Sequence, residues 1–117
     1  MLIIYGIPAC NTMKKTFEYF QAKGIEYSFH NYKKDGISAP ILQEFVDMLG
    51  LEKVFNKQGS TFRQLEETTK ESLQDPMAAF QFLLEKNSAI KRPILQDEKR
   101  LIAGFNPNDL DKWLNTW

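Results

Sequence analysis

The stretch LIIYGIPACNTMKKTFEYFQAKGIEYSFHNY, Leu2 to Tyr32, decides the fold. Leu2 to Tyr5 is a continuous apolar run that stops at Gly6 and Pro8, the pattern of a strand covered on both faces. After Cys10, the apolar residues Met13, Phe17 and Phe20 return at helical spacing; Asn11 offers an N-cap oxygen, and Gly24 suits the left-handed position past a helix end. Ile25 to Tyr32 alternates, with Ile25, Tyr27 and Phe29 on one side and Glu26, Ser28 and His30 on the other, which predicts a second strand. A strand, a helix and a strand in this order make a parallel βαβ unit of right hand.

The middle of the chain changes period. Ser38 and Pro40 open a segment whose Ile41, Phe45, Met48 and Leu49 share a helical face up to Gly50. NKQGS, Asn56 to Ser60, is a turn; Thr61 and Gln64 have capping-box spacing, and Asp75-Pro76 starts a helix through Met77, Phe80, Leu83 and Leu84. Residues from about 38 to 88 therefore read as a helical block. Pro93 to Gln96 and Arg100 to Ala103 are two short strands of a hairpin, and Asn106-Pro107 caps a last helix with the stripe Leu110, Trp113, Leu114 and Trp117. No repeat or linker divides the chain, so one domain is expected.

With 117 residues, 43% of them apolar, the chain can build one ordinary core. Its 15 basic and 15 acidic residues cancel, so no net field draws it to nucleic acid or to a membrane surface. No apolar run is long enough for a bilayer, and MLIIYG is too short for a secretory signal, so a cytoplasmic protein is expected. The single cysteine excludes an internal disulfide, and no Cys/His cluster has zinc spacing, so no metal is expected. His30 has no companion histidine and is expected at the outer end of its strand rather than in catalysis.

Cys10 falls between the first strand and its helix, at the carboxyl end of the sheet, where open α/β folds bind ligands. The unpaired amides and positive dipole of a helix start favour a thiolate, which is the nucleophilic form. A buried, inert thiol is the competing reading, but the GIPACN loop is an unusual place for one. Lys14 and Lys15 either reach an anion near Cys10 or point to solvent. Cys10-Asn11-Thr12-Met13 is C-x-x-M, so a mixed disulfide on Cys10 has no internal thiol to resolve it, and turnover needs an outside thiol. In KRPIL, Lys91 to Leu95, the proline holds Arg92 extended. On the residues alone, Arg92 reads first as a solvated arginine beside a trans proline; in reach of Cys10 it would stabilise the thiolate and grip an anion.

Four blocks, IYGIPACNTMKK, NKQGSTFRQL, KRPIL and EKRLIAGFNPNDL, in this order and spacing, resemble the arsenate reductase/Spx (ArsC-like) family, closest to its YffB and MgsR branches. The resemblance spans essentially the whole chain. It implies an α/β, thioredoxin-like fold with a helical insertion between the second and third strands: residues 1–37 and 89–117 as the core and 38–88 as the insertion. It also implies a redox-active Cys10 and a cis-proline at Pro93. Asn11, Thr12, Lys14, Arg63 and Arg92 are the residues expected to stabilise the thiolate or the substrate.

In the glutaredoxin-coupled arsenate reductases one cysteine attacks arsenate and three arginines hold the oxyanion. Arg92 matches one of them. The positions matching the others read Asn56 and Ala103-Gly104-Phe105, with Arg63 a nearby candidate substitute. Each lost charge-assisted contact costs roughly 1.5–3 kcal/mol, so arsenate itself is a doubtful substrate. The expected function is that of a monomeric monothiol reductase served by glutathione or a glutaredoxin. The alternative is a Spx-like regulator that docks on RNA polymerase without turnover.

Overall fold

The computed structural model of the chain describes residues 1–115. The βαβ unit is present as β1 (Leu2–Gly6), α1 (Asn11–Ala22) and β2 (Tyr27–Asn31), with β1 and β2 parallel. After it come α2 (Tyr32–Asp35), α3 (Ala39–Leu49), α4 (Leu51–Val54), α5 (Ser60–Arg63), α6 (Glu67–Ser72), α7 (Pro76–Glu85) and a 3-10 turn at Asn87–Ala89. The antiparallel pair β3 (Ile94–Gln96) and β4 (Leu101–Ala103) and helix α8 (Pro107–Leu114) close the chain. The sheet order is β2-β1-β3-β4, and Tyr5 stands opposite both His30 and Ile94.

Strand alternation divides the core into two halves, one on each face of the sheet. Leu2, Ile4 and Leu95 point to the face covered by α1 and α8, where they meet Met13, Phe20 and Leu110. Tyr5 and Ile94 point to the other face and meet Tyr32 of α2 and Leu42, Phe45, Val54 and Leu83 of the helical block. Phe45 stands edge-on to Tyr5, ring centroids 4.9 Å apart. On the first face Phe17 stacks on Tyr27 at 5.6 Å, and the Thr16 hydroxyl, fully buried, donates to the Thr12 carbonyl at 2.7 Å. The β1 residues are thus covered on both sides, as their uninterrupted apolar run predicts.

Several boundaries differ from those expected of the sequence. β2 begins at Tyr27 rather than Ile25, and Tyr32 opens α2 because the Asn31 side chain accepts from the Lys33 and Lys34 amides. His30 is partly buried beside the ring of Tyr5, with Nε2 2.7 Å from the Gly36 carbonyl. In α3 the buried positions are Leu42 and Phe45, whereas Met48 is 48% exposed; in α7 Met77 is 81% exposed. Single exposed apolar residues carry no fold signal, and pattern reading cannot tell them from core. Thr61 does not open a capping box: Gly59 is the N-cap of α5, and the Thr61 hydroxyl is paired with Ser88. Ser38, Asp75 and Asn106 cap α3, α7 and α8 with their side chains. Trp117 lies outside the described residues.

Candidate active site

Beyond Gly6, β1 runs into a short loop in which the Cys10 amide donates to the Pro8 carbonyl at 3.0 Å. Cys10 itself is extended (φ −138°, ψ 134°) and occupies the N-cap of α1, and its carbonyl receives the Lys14 amide at 3.0 Å. The sequence suggested Asn11 for this role; Asn11 is instead the first helical residue and is exposed. An N-cap side chain faces the free amides of the first turn, so the sulfur of Cys10 takes the place usually held by a Ser or Asp oxygen.

Partial burial raises the Cys10 pKa, but the Met13 amide, the Arg92 guanidinium and the Thr12 amide outweigh it and hold the thiol below its ordinary range. The sulfur closes no cap hydrogen bond of regular geometry. The amides of the first turn lie near the sulfur without closing a regular cap, and they favour its anion, which draws on nearby donors more strongly than the weakly accepting thiol. Cys10 is only partly buried, which leaves the sulfur a route to substrate.

Arg92 arrives from the segment leading into β3, next to the end of β1. Its Nη1 donates to the Ser88 carbonyl at 2.9 Å, and a Cβ added at Gly6 would stand 3.5 Å from its Cβ. The Arg92–Pro93 peptide is cis, Pro93 is buried, and the Pro93 carbonyl accepts the Gly104 amide at 2.8 Å. The Met13 thioether packs over Gly6, so close that such a Cβ would stand 2.5 Å from its Sδ. Met13 is fully buried. The fourth position of the C-x-x-M motif therefore belongs to the core.

The other expected residues are distributed differently. Lys14 and Lys15 are exposed on α1, and Arg63 is exposed at the end of α5. Among the described residues, no hydrogen bond or ion pair joins any of the three to Cys10. Thr12 contributes its amide rather than its hydroxyl. Asn56 spends its side-chain oxygen on the Gln58 amide, 3.1 Å away. Sequence reasoning missed the Ser88 carbonyl and the Met13 amide, both main-chain groups without a side-chain signature, although N-cap geometry alone points to the latter.

A separate open cleft of about 810 Å³ lies between α4 and the outer edge of β4; Lys53, Lys57 and Lys91 line it, but neither Cys10 nor Arg92 does. Its size gives it no share in the chemistry of the thiol. Among the described residues no cluster of His, Cys, Asp and Glu would hold a metal ion, and no helix is long and apolar enough to cross a membrane.

The pattern of the ArsC family matches residues 5–113. The chain belongs to the ArsC family. Within ArsC-like structures, this chain superposes on the protein named YFFB (PA3664) with a TM-score of 0.89 at 37% identity, covering 96% of this chain and 97% of that one. An uncharacterized protein of Haemophilus influenzae is 34% identical over 93% of this chain and 95% of its own length. The global transcriptional regulator Spx of Lactiplantibacillus plantarum is 25% identical over 97% and 86%. The fold is accordingly of the ArsC/thioredoxin-like kind, with α2 to α7 and the 3-10 turn between β2 and β3.

Proposed function

We propose that the chain is a monothiol reductase that reduces mixed disulfides by thiol–disulfide exchange at Cys10. The observation that carries this reading is the partly exposed Cys10 sulfur at the mouth of α1, with the Arg92 guanidinium beside it. The Cys10 thiolate attacks a glutathione mixed disulfide, forming a Cys10–glutathione disulfide and expelling the substrate thiolate, which takes up a proton. A second glutathione, as thiolate, attacks that disulfide, releasing oxidised glutathione and restoring Cys10; a glutaredoxin is the alternative donor. Arg92 holds the attacking anion, and its remaining N–H groups and charge attract a carboxylate or other oxyanion on the substrate. A reducing, cytoplasmic setting and a monomer fit this chemistry.

Arsenate fits less well. Asn56 carries no charge and its oxygen is already engaged, Arg63 is exposed at the end of α5, and Ala103, Gly104 and Phe105 offer no cation. The similarity to Spx supports a second reading, a regulator that docks on RNA polymerase with no catalytic turnover. Glutathione- and glutaredoxin-dependent reduction, assayed over arsenate, small mixed disulfides and glutathionylated peptides with Cys10→Ser as control, separates the readings. Turnover of mixed disulfides that the control lacks is expected. No turnover on any substrate, together with recovery of polymerase subunits by a Cys10→Ala variant, would sink the enzyme reading in favour of the regulator.

A further inference from the structure

Arg92 is useful to Cys10 only if its guanidinium stays aimed at the sulfur, and a free arginine side chain samples many rotamers. The segment before it is anchored on α2, on α4 and on the turn that follows α4. The Asn87 side-chain amide donates to the Tyr32 carbonyl at 2.8 Å, the Asn56 amide to the Ala89 carbonyl at 2.8 Å, and the Lys91 amide to the Val54 carbonyl at 2.7 Å. Between these anchors the hydroxyls of Thr61 and Ser88 meet at 2.7 Å, and the Ser88 carbonyl receives Arg92 Nη1. We infer that Thr61 and Ser88 are positioning residues for the Cys10 thiolate: their hydroxyl pair fixes Ser88, and the Ser88 carbonyl holds the Arg92 guanidinium against the sulfur.

This inference rests on the reading of Cys10 as a working thiolate, and it gives the helical block a part in tuning it. The groups that bear on the pair are few. From α1 come the Thr12 and Met13 amides, with Lys14 and Lys15 turned outward. From α2 the Tyr32 phenol faces Arg92 and stays neutral, because burial and the neighbouring Tyr5 push its pKa up more than Arg92 lowers it. Thr61 itself carries no charge, so any effect of its loss on the thiol passes through geometry.

The test is the rate of Cys10 alkylation by iodoacetamide against pH in Thr61→Val, Ser88→Ala and Thr61→Ser, with Thr61→Val repeated in an Arg92→Met background. Thr61→Val and Ser88→Ala should each slow the reaction about 1.5-fold on the acid side of the profile, a fraction of the loss expected when Arg92 itself is removed, because the charge stays and only its aim is loosened. Thr61→Ser should restore it, and Thr61→Val should add nothing once Arg92 is gone. A profile in Thr61→Val and Ser88→Ala that overlays the wild type, or an equal loss without Arg92, overturns the inference alone. An ordinary thiol profile in the wild-type chain overturns it together with the enzyme reading.

Discussion

Replacing Arg92 with methionine keeps the unbranched stem and removes the charge and the donors. A hydrogen bond to a charged group contributes about 1.5–3 kcal/mol in a closed site. Cys10 is only partly buried, and solvent screening reduces that to about 1 kcal/mol. At a pH below the thiol pKa, 1 kcal/mol lowers the thiolate population about fivefold. The more basic thiolate is also the better nucleophile: with a Brønsted coefficient of about 0.4–0.5, about half of the loss, on a logarithmic scale, is recovered. The observed rate should therefore fall about 2.5-fold on the acid side and rise about twofold on the alkaline side, where both proteins are fully ionised. The assay is stopped-flow reaction with a small uncharged aromatic disulfide across the pH range, in which the two profiles should cross. Profiles that overlay, or that differ by one constant factor at every pH, would refute the role given to Arg92.

Other expectations concern the frame that holds the site. Phe45→Ala removes a fully buried ring that stands edge-on to Tyr5, and should cost about 3–5 kcal/mol in urea unfolding, whereas the exposed Met77→Ala should stay within about 0.5 kcal/mol of wild type. Gly6→Ala forces the buried Met13 thioether to move and should cost about 1–3 kcal/mol; part of this should return when Met13 is also shortened to alanine. Burial raises the Asp97 pKa, but the Lys99 and Arg100 amides and the Arg100 guanidinium more than offset it, so the folded-state pKa is depressed. Its contribution is thus present above the unfolded carboxylate value of about 3.9 and lost as pH falls through the folded one. The destabilisation by Asp97→Asn, about 2 kcal/mol at neutral pH, should shrink as unfolding is measured at progressively lower pH.

The architecture could be read from the sequence because its signals agree at several levels. The apolar run of β1, the 3.6-residue spacing of Met13, Phe17 and Phe20, and the Asn106-Pro107 cap each have a local cause that packing reinforces. Helix faces within the block were less legible. Leu42 and Phe45 are buried because Tyr5 and Tyr32 present a surface to them, and that surface exists only after the chain has folded. Asn31, ahead of Tyr32, Lys33, Lys34 and Asp35, sits inside the alternating run that reads as strand, and its cap on α2 explains why the second strand ends one residue early. At the site, Cys10 and Arg92 stand out as side chains in unusual settings. The hold of Ser88 on Arg92 and the reach of Met13 toward Cys10 use peptide groups, which every residue has, so no pattern of side chains marks them.

The most direct measurement is the ultraviolet titration of thiolate absorbance in the folded protein with Cys10→Ser as the blank, since one cysteine gives one transition. The account predicts a midpoint below the ordinary thiol value of about 8.5, moving upward when Arg92 is replaced by methionine. A midpoint at or above that value, unmoved by the substitution, would contradict it.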